Sequence, residues 1–243
     1  MKDQERLIVA LDVDSLEEAK KIARRLQPHV GAFKIGMQLF TAHGPQVVKE
    51  IQQLGCRVFV DLKYHDIPNT VAQAGRVLTR LETFMFNVHA AGGREMMRQT
   101  VEAVHEEADR HGLVPPIVLA VTVLTSISDQ QWKDEVGGRR GIPGQVVHWA
   151  RMAQEAGLDG VVASPQEIGA IRKACGDRFV IVTPGVRPAG ADLNDQQRVM
   201  TPGQAVKAGA SYLVVGRPIM KASDPVRASI EIVDEIRAGL RNN

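Results

Sequence analysis

The feature that most constrains the fold of this chain is a series of eight short apolar segments, separated from one another by amphipathic stretches. The apolar segments are rich in Val, Ile and Leu and lack alternating polar residues, as expected for parallel strands buried on both faces. They lie at 7–11, 32–35, 58–62, 84–88, 117–121, 160–163, 179–182 and 212–215.

The stretches between these segments carry apolar residues at helical spacing, and another such stretch follows the last segment. Asp14 and Ser15 can cap the first predicted helix, because short polar side chains accept hydrogen bonds from free N–H groups at a helix start. The predicted helices lie at 15–26, 46–54, 71–81, 94–111, 144–156, 165–175, 202–208 and 224–240.

Strands and helices that alternate through 243 residues predict a single (β/α)8 TIM barrel, one catalytic domain spanning residues 1–243. A doubly wound open sheet is the alternative fold. It would more often show fewer strands and a glycine-rich first turn, and the sequence has no G-x-G-x-x-G or Walker A run.

Polar residues follow most of the apolar segments. In a (β/α)8 barrel the loops after the strands meet at one face, where active sites lie, so we expect these residues to share one pocket. Asn87 and His89 could instead hold loops in place, and Ser164 fits a helix cap before Pro165. The candidates are Asp12, Lys34, Asp61, Lys63, Asn87, His89, Thr122, Thr125, Ser164, Thr183, Arg187, Gly216 and Arg217.

The densest charge cluster follows the third segment, where Asp61, Lys63 and Asp66 stand within six residues. Asp61 and Lys63 are two positions apart, so their side chains share a face if the strand continues through them. Asp66 lies in a turn that Pro68 closes before the next helix. A solvated ion-pair network at a strand end is the alternative interpretation, but the position of the cluster in the predicted barrel favours an active site.

Two loops are longer than a barrel needs. The loop at 126–140 could touch phosphate, but its composition favours a solvated basic loop or the start of a helix. The loop at 185–201 carries Arg187 and Gln196 and has the length of a loop that closes over substrate.

A phosphate site is expected after the seventh and eighth strands of such a barrel. Arg187 and the pair Gly216 and Arg217 stand there. Glycine lets backbone N–H groups approach an oxyanion, and arginine adds a planar, permanently charged group.

Composition excludes several functional classes. The 30 basic and 28 acidic residues leave a net charge of +2, so no field suited to nucleic acid is expected. The charged N-terminus and the interruption of the first apolar run at Asp12 favour a cytoplasmic protein without signal peptide or membrane span. The two cysteines and seven histidines lack metal-ligand spacing, so we expect no metal and no disulfide.

These residues together closely resemble the orotidine 5'-monophosphate decarboxylase family, over nearly the whole chain. The cluster around Lys63 is also similar to that of a metal-dependent sugar-phosphate decarboxylase of the same superfamily. Lys34, Thr125, the turn that ends at Arg187 and the loop of Gln196 favour the nucleotide enzyme. The matching motifs lie at 8–12, 33–36, 61–70, 87–93, 121–126, 183–187, 195–196 and 215–217.

The resemblance implies conversion of orotidine 5'-monophosphate to uridine 5'-monophosphate and CO2, the last step of UMP synthesis, by a homodimer without metal or organic cofactor. Lys63 would protonate C6 of the pyrimidine, Asp61 would face the substrate carboxylate, and Lys34 would complete the charged array. Asp66 and Thr70 would reach the site across the dimer interface. Substrate contacts would come from Asp12 and Thr70 at the ribose, Thr125 at the edge of the pyrimidine, and Gln196, Arg187, Gly216 and Arg217 at the phosphate. Pro184 would be a further substrate contact. A non-catalytic barrel that binds a phosphate ligand is a further alternative.

Overall fold

The computed structural model describes residues 1–188 and 200–241. Within these residues eight parallel strands form a closed barrel in which each strand pairs with the next and β8 pairs with β1. Closure confirms the predicted (β/α)8 barrel and excludes the open sheet, which would have two unpaired edges. The strands are β1 (Leu7–Ala10), β2 (Ala32–Gly36), β3 (Val58–Tyr64), β4 (Met85–His89), β5 (Ile117–Val121), β6 (Gly160–Val162), β7 (Val180–Pro184) and β8 (Tyr212–Val215).

Helices connect successive strands on the outside of the barrel. In the described residues they are α1 (Leu16–Leu26), α2 (Met37–His43), α3 (Gln46–Gln52), α4 (Pro68–Arg80), α5 (Gly93–His111), α6 (Asp129–Asp134), α7 (Ile142–Glu155), α8 (Ile168–Cys175), α9 (Pro202–Lys207), α10 (Arg217–Met220) and α11 (Pro225–Arg241). None of these helices combines the length and the apolar character that crossing a bilayer requires.

The strands are buried on both faces, which explains their lack of polar alternation. In β1, Leu7 and Val9 pack outward with the surrounding helices, whereas Ile8 and Ala10 belong to the cluster inside the barrel. That inner cluster takes residues from most of the other strands: Ala32, Phe59, Met85, Leu119, Val182, Tyr212 and Val214.

Helix starts follow the predicted chemistry. The Ser15 hydroxyl accepts a hydrogen bond from the N–H of Glu18, as expected for the cap of α1. Ser164 likewise accepts a hydrogen bond from the N–H of Gln166 and caps a 3-10 turn. Helix α4 begins at Pro68, slightly earlier than predicted, because proline fits the first helical position, where its missing N–H is not needed.

The loop at 126–140 contains the short helix α6, so the expectation of a helix start there is confirmed. Ser128 and Gln131 form a reciprocal capping box at its N-terminus. The Trp132 side chain is buried, and its indole N–H donates to the carbonyl oxygen of Arg140. One buried aromatic side chain therefore holds α6 against the C-terminal end of this segment. The sequence does not predict the short helices α2 and α10, which follow directly after β2 and β8.

Gly160 at the start of β6 offers a test of barrel closure. A Cβ placed there would lie 2.0 Å from the carbonyl oxygen of Val180 on β7. We expect Gly160→Ala to lower the free energy of unfolding by at least about 2 kcal/mol, because two paired strands would have to separate. Urea unfolding measures the change.

Gly169 is the matched control, because it lies exposed on α8 and a Cβ there meets no atom within 4 Å. Gly169→Ala should leave stability equal or higher by up to about 1 kcal/mol, since alanine favours helix. Equal effects of the two substitutions would contradict the proposed tight contact between β6 and β7.

Candidate active site

The candidate site is a cavity of about 270 Å³ at the end of the barrel where the strands finish. Charged side chains from β2 and β3 lie on one side, and apolar side chains line most of the remainder. The lining residues are Lys34, Phe59, Asp61, Lys63, Val121, Val123, Leu124, Thr125, Ser126, Val162, Ala163, Pro184 and Val214. The structure thus brings together Lys34, Asp61, Lys63, Thr125 and Pro184, which the sequence predicted as site residues.

Four charged side chains of alternating sign form a continuous row at this cavity. The Lys34 Nζ lies 3.3 Å from the Asp12 Oδ1 and 3.3 Å from the Asp61 Oδ2. The Lys63 Nζ lies 2.7 Å from the Asp61 Oδ1. The side chains of Lys34 and Asp61 are only 12% and 13% exposed, so water screens these charges weakly.

Asp61 is the centre of this row, because its two carboxylate oxygens contact different ammonium groups. Burial alone would raise the pKa of this carboxyl. The positive charges of Lys34 and Lys63, with hydrogen bonds from Lys63 and Asn87, outweigh burial and hold the pKa of Asp61 below its ordinary value. Asp61 is therefore an anion at neutral pH.

Lys63 reaches the cavity through an irregularity in β3. Val60 pairs with Phe86 and Tyr64 pairs with Val88, so three residues of β3 stand opposite one residue of β4. Lys63 has a φ of 54°, in the left-handed region that residues with a Cβ seldom adopt. Strand β3 continues through Asp61 and Lys63 with this irregularity, and the two side chains meet, as expected for a strand that extends this far.

Asn87, the β4 residue opposite this irregularity, contacts both members of the pair. Its side-chain N–H donates to the Asp61 Oδ1 over 2.7 Å, and its Oδ1 accepts from the backbone N–H of Lys63 over 2.8 Å. The sequence left open whether Asn87 holds a loop or serves the site. The structure places it directly behind the charged row.

His89, at the end of β4, stacks on His65 with ring centroids 5.4 Å apart. Burial, followed by the nearby His65 and the positive charge of Lys63, lowers the pKa of His89. A neutral His89 adds no further positive charge beside Lys63 at neutral pH.

Two candidates from the sequence have structural contacts instead. The Thr122 hydroxyl donates to the carbonyl oxygen of Val162 and links β5 to the end of β6. Ser164 caps a turn, as described above. In both cases the side chain satisfies backbone groups, so neither residue points to substrate chemistry.

The predicted phosphate residues lie after β7 and β8. A Cβ on Gly216 would lie 3.4 Å from the Asp12 Oδ2, which places this glycine beside the charged row just after β8. Arg217 opens α10. The backbone N–H of Arg187 donates to the carbonyl oxygen of Met200, which closes the base of the long loop. Gln196 lies outside the described residues.

Asp66 and Thr70 follow β3, and no described hydrogen bond or ion pair joins either residue to the row. Asp66 is exposed, and its carboxylate accepts a hydrogen bond from the backbone N–H of Ile67. Thr70 is exposed in the first turn of α4. Ile67 between them is 67% exposed, an unusual position for a large apolar side chain.

Sequence reasoning missed one spatial requirement of the site. A Cβ on Gly36 would lie 2.9 Å from the Lys34 Nζ, so glycine at the end of β2 gives the ammonium group its space. A glycine two residues after a buried lysine is the only signal, and it is weak by itself. Among the described residues, no three His, Cys, Asp or Glu side chains are grouped to hold a metal ion.

The pKa of Asp61 predicts a pH dependence of stability. Because this pKa is lower in the folded chain, the unfolded chain binds the proton first as pH falls. The contribution of ionised Asp61 is present above about pH 5 and is lost as the pH falls towards the folded pKa. The difference in unfolding free energy between parent and Asp61→Asn should therefore be larger at about pH 7 than at about pH 3.5.

Urea unfolding at several pH values measures this difference. Asp109→Asn, at an exposed position of α5, is the control. It shows how much the loss of a surface carboxylate changes the pH dependence of the unfolding free energy. A difference that stays constant or grows as pH falls would contradict the assigned electrostatics of Asp61.

Comparison with known proteins identifies relatives over nearly the full length. A protein of Syntrophomonas wolfei named orotidine 5'-phosphate decarboxylase is 60% identical, with 97% of this chain and 99% of the relative covered. One of the same name from Moorella thermoacetica is 56% identical, with 97% and 94% covered. A crystal structure of orotidine 5'-phosphate decarboxylase from Lactobacillus acidophilus superposes with a TM-score of 0.84 at 41% identity, covering 95% of this chain and 98% of that one.

The profile of one protein family matches residues 5–232, which include the whole barrel and every described residue of the charged row. A match of this extent, with relatives of such identity, assigns the family. The chain belongs to the orotidine 5'-phosphate decarboxylase / HUMPS family.

Proposed function

We propose that this protein converts orotidine 5'-monophosphate to uridine 5'-monophosphate and CO2, as a carbon–carbon lyase of pyrimidine nucleotide synthesis. The observation that carries the proposal is the row of alternating charges at an apolar cavity. The names of the relatives at 52–60% identity support the same activity.

The chemistry requires a positive group at one ring carbon. When the bond between C6 and the carboxylate breaks, its electron pair stays on C6 and CO2 departs. The Lys63 ammonium stabilises this developing charge and then donates its proton to C6. Solvent then returns a proton to Lys63. Because the ammonium stabilises the charge on C6, the proposed reaction needs no electron-sink cofactor. The 2.7 Å contact between the Lys63 Nζ and the Asp61 Oδ1 supports this role, because it holds the ammonium group at the cavity.

Asp61 faces the substrate carboxylate in this proposal. Its anionic state repels the carboxylate that must leave, and departure of neutral CO2 relieves that repulsion. Lys34 holds the second oxygen of Asp61 and keeps the carboxylate directed into the cavity. Binding free energy from the distant phosphate offsets the cost of bringing two anions together.

Contacts with the rest of the nucleotide follow from position around the barrel. Asp12 lies at the outer end of the row and is 55% exposed, which suits a contact with a ribose hydroxyl. Thr125 and Pro184 line the cavity near the pyrimidine. We assign the contacts with the phosphate to Arg187, Gln196, Gly216 and Arg217.

We further propose a cytoplasmic homodimer in which Asp66 and Thr70 enter the partner's site. Both residues are exposed, and they contact neither Asp61 nor Lys63 by any described hydrogen bond or ion pair. The exposed Ile67 between them supports the interface, because a second copy would remove this apolar side chain from water.

The second candidate function is that of a metal-dependent sugar-phosphate decarboxylase. The cluster of Asp61, Lys63 and Asp66 favours it as well, since both enzymes share this pattern. A turnover assay that follows the loss of pyrimidine absorbance of orotidine 5'-monophosphate separates the two functions.

We expect turnover of orotidine 5'-monophosphate that is unchanged after exhaustive treatment with a chelator. Activity that disappears on chelation and returns with Mg²⁺ would favour the sugar-phosphate enzyme. Nucleotide binding without any turnover would instead indicate a non-catalytic barrel.

A mixing experiment tests the roles of Lys63 and Asp66 together. Lys63→Ala and Asp66→Ala should each be nearly inactive, the first by loss of the proton donor and the second by loss of the partner's carboxylate. After subunit exchange, about half the dimers are mixed, and half of their pockets contain both original residues. Activity should therefore rise to roughly a quarter of the parent value.

Lys49 is an exposed lysine on α3. The Lys49→Ala variant is the control for loss of an ammonium group and should keep full activity. A labelled subunit verifies exchange. Exchange without any gain in activity would mean that Asp66 belongs to the site of its own chain, or that the site does not lie at the dimer interface.

A further inference from the structure

Asn87 is a fully buried polar residue that the proposed reaction does not itself use. Its carboxamide lies between two groups that the reaction does use, the Asp61 carboxylate and the backbone of Lys63. The two hydrogen bonds, of 2.7 Å and 2.8 Å, have good lengths. One side chain thus binds both members of the ion pair.

The orientation of this carboxamide is fixed by its partners. An ionised carboxylate only accepts hydrogen bonds, and a backbone N–H only donates them. The amide nitrogen must therefore face Asp61 and the amide oxygen must face Lys63. Asparagine fits both partners because it carries a donor and an acceptor on one planar group.

The irregularity of β3 explains why such a side chain is needed. Three residues of β3 stand opposite Asn87, so regular backbone pairing is lost there. The N–H of Lys63 finds its acceptor in the Asn87 side chain instead. Lys63 also has the left-handed φ of 54°, a conformation that persists only where the surroundings hold it.

We propose that Asn87 is the positioning residue of the decarboxylation site, which holds Lys63 in its left-handed conformation and directs Asp61 into the cavity. This inference rests on the proposed function. Asn87 acts through Asp61 and Lys63, so its loss affects the geometry of the reacting groups more than the binding of the nucleotide.

Asn87→Ala and the near-isosteric Asn87→Leu test the proposal. We expect kcat for orotidine 5'-monophosphate to fall on the order of 100-fold, as for a small displacement of reacting groups. KM should stay within about threefold, because a fully buried residue behind the row makes no part of the nucleotide contact surface. A loss of kcat below about threefold, or a loss confined to KM, would overturn the proposal.

Thr79→Val is the matched control. Thr79 is a buried polar residue on α4 whose hydroxyl donates to the carbonyl oxygen of Gly75, far from the charged row. The Thr79→Val substitution should lower the free energy of unfolding without lowering kcat. A similar loss of kcat in Thr79→Val would show that general destabilisation, and not positioning, explains the Asn87 variants.

Asn87→Asp gives a readout that a merely structural role would not produce. A protonated carboxyl has one donor and one acceptor, as the amide does, whereas the ionised form loses the donor and repels Asp61. The ratio of variant kcat to parent kcat should therefore rise as the pH is lowered from about 8 to about 5.5. The titratable groups around the new carboxyl are Asp61 and Lys63, which contact position 87, Lys34, which pairs with Asp61, and His89, two residues along β4, with its stacked neighbour His65.

A ratio that does not change with pH would overturn the proposal even if Asn87→Ala fails to fold. Binding of uridine 5'-monophosphate to each variant verifies that the site is intact. Failure of the proposed function appears differently, because the parent itself would then not turn over orotidine 5'-monophosphate.

Discussion

The shared carboxylate of Asp61 is the interaction on which the rest of the site depends. One oxygen holds Lys34, the other holds Lys63, and Asn87 fixes the group from behind. Two ammonium groups this close would repel each other in a half-buried setting without an anion between them. The same anion holds Lys63 at the cavity and is the group that faces the substrate carboxylate in the proposed reaction. The Asp61 side chain therefore both holds the two lysines together and takes part in the proposed reaction.

The barrel keeps the free-energy penalty of burying these four charges small. Apolar side chains fill its interior below the row, and a second apolar layer joins the strands to the helices. The charged groups stand only at the strand ends, where they are partly open to solvent and paired with one another. This arrangement avoids the large penalty of an unpaired buried charge while excluding enough water to keep electrostatic interactions strong.

The register between β3 and β4 is irregular in an otherwise regular barrel. Seven of the eight strand pairings run in simple register, whereas the pairing of β3 with β4 shifts at Asp61 and Lys63. The shift turns Lys63 towards Asp61 at the cost of an uncommon backbone conformation, and the Asn87 side chain replaces the missing backbone partner. Strained backbone positions that the surroundings hold in place are typical of functional sites.

The sequence by itself determined the fold and most of the site. Strands buried on both faces leave an unmistakable apolar pattern, and polar residues after them must converge once the barrel closes. Only the tertiary structure decided the left-handed conformation of Lys63, the contact of Asn87 with two residues of the neighbouring strand, and the space that Gly36 leaves for Lys34. The first two features depend on the shifted register between β3 and β4, and the third depends on where its two carboxylate partners hold the Lys34 ammonium group. The apolar pattern of a strand decides which face is buried, but contacts like these form only when the partner strands are in place.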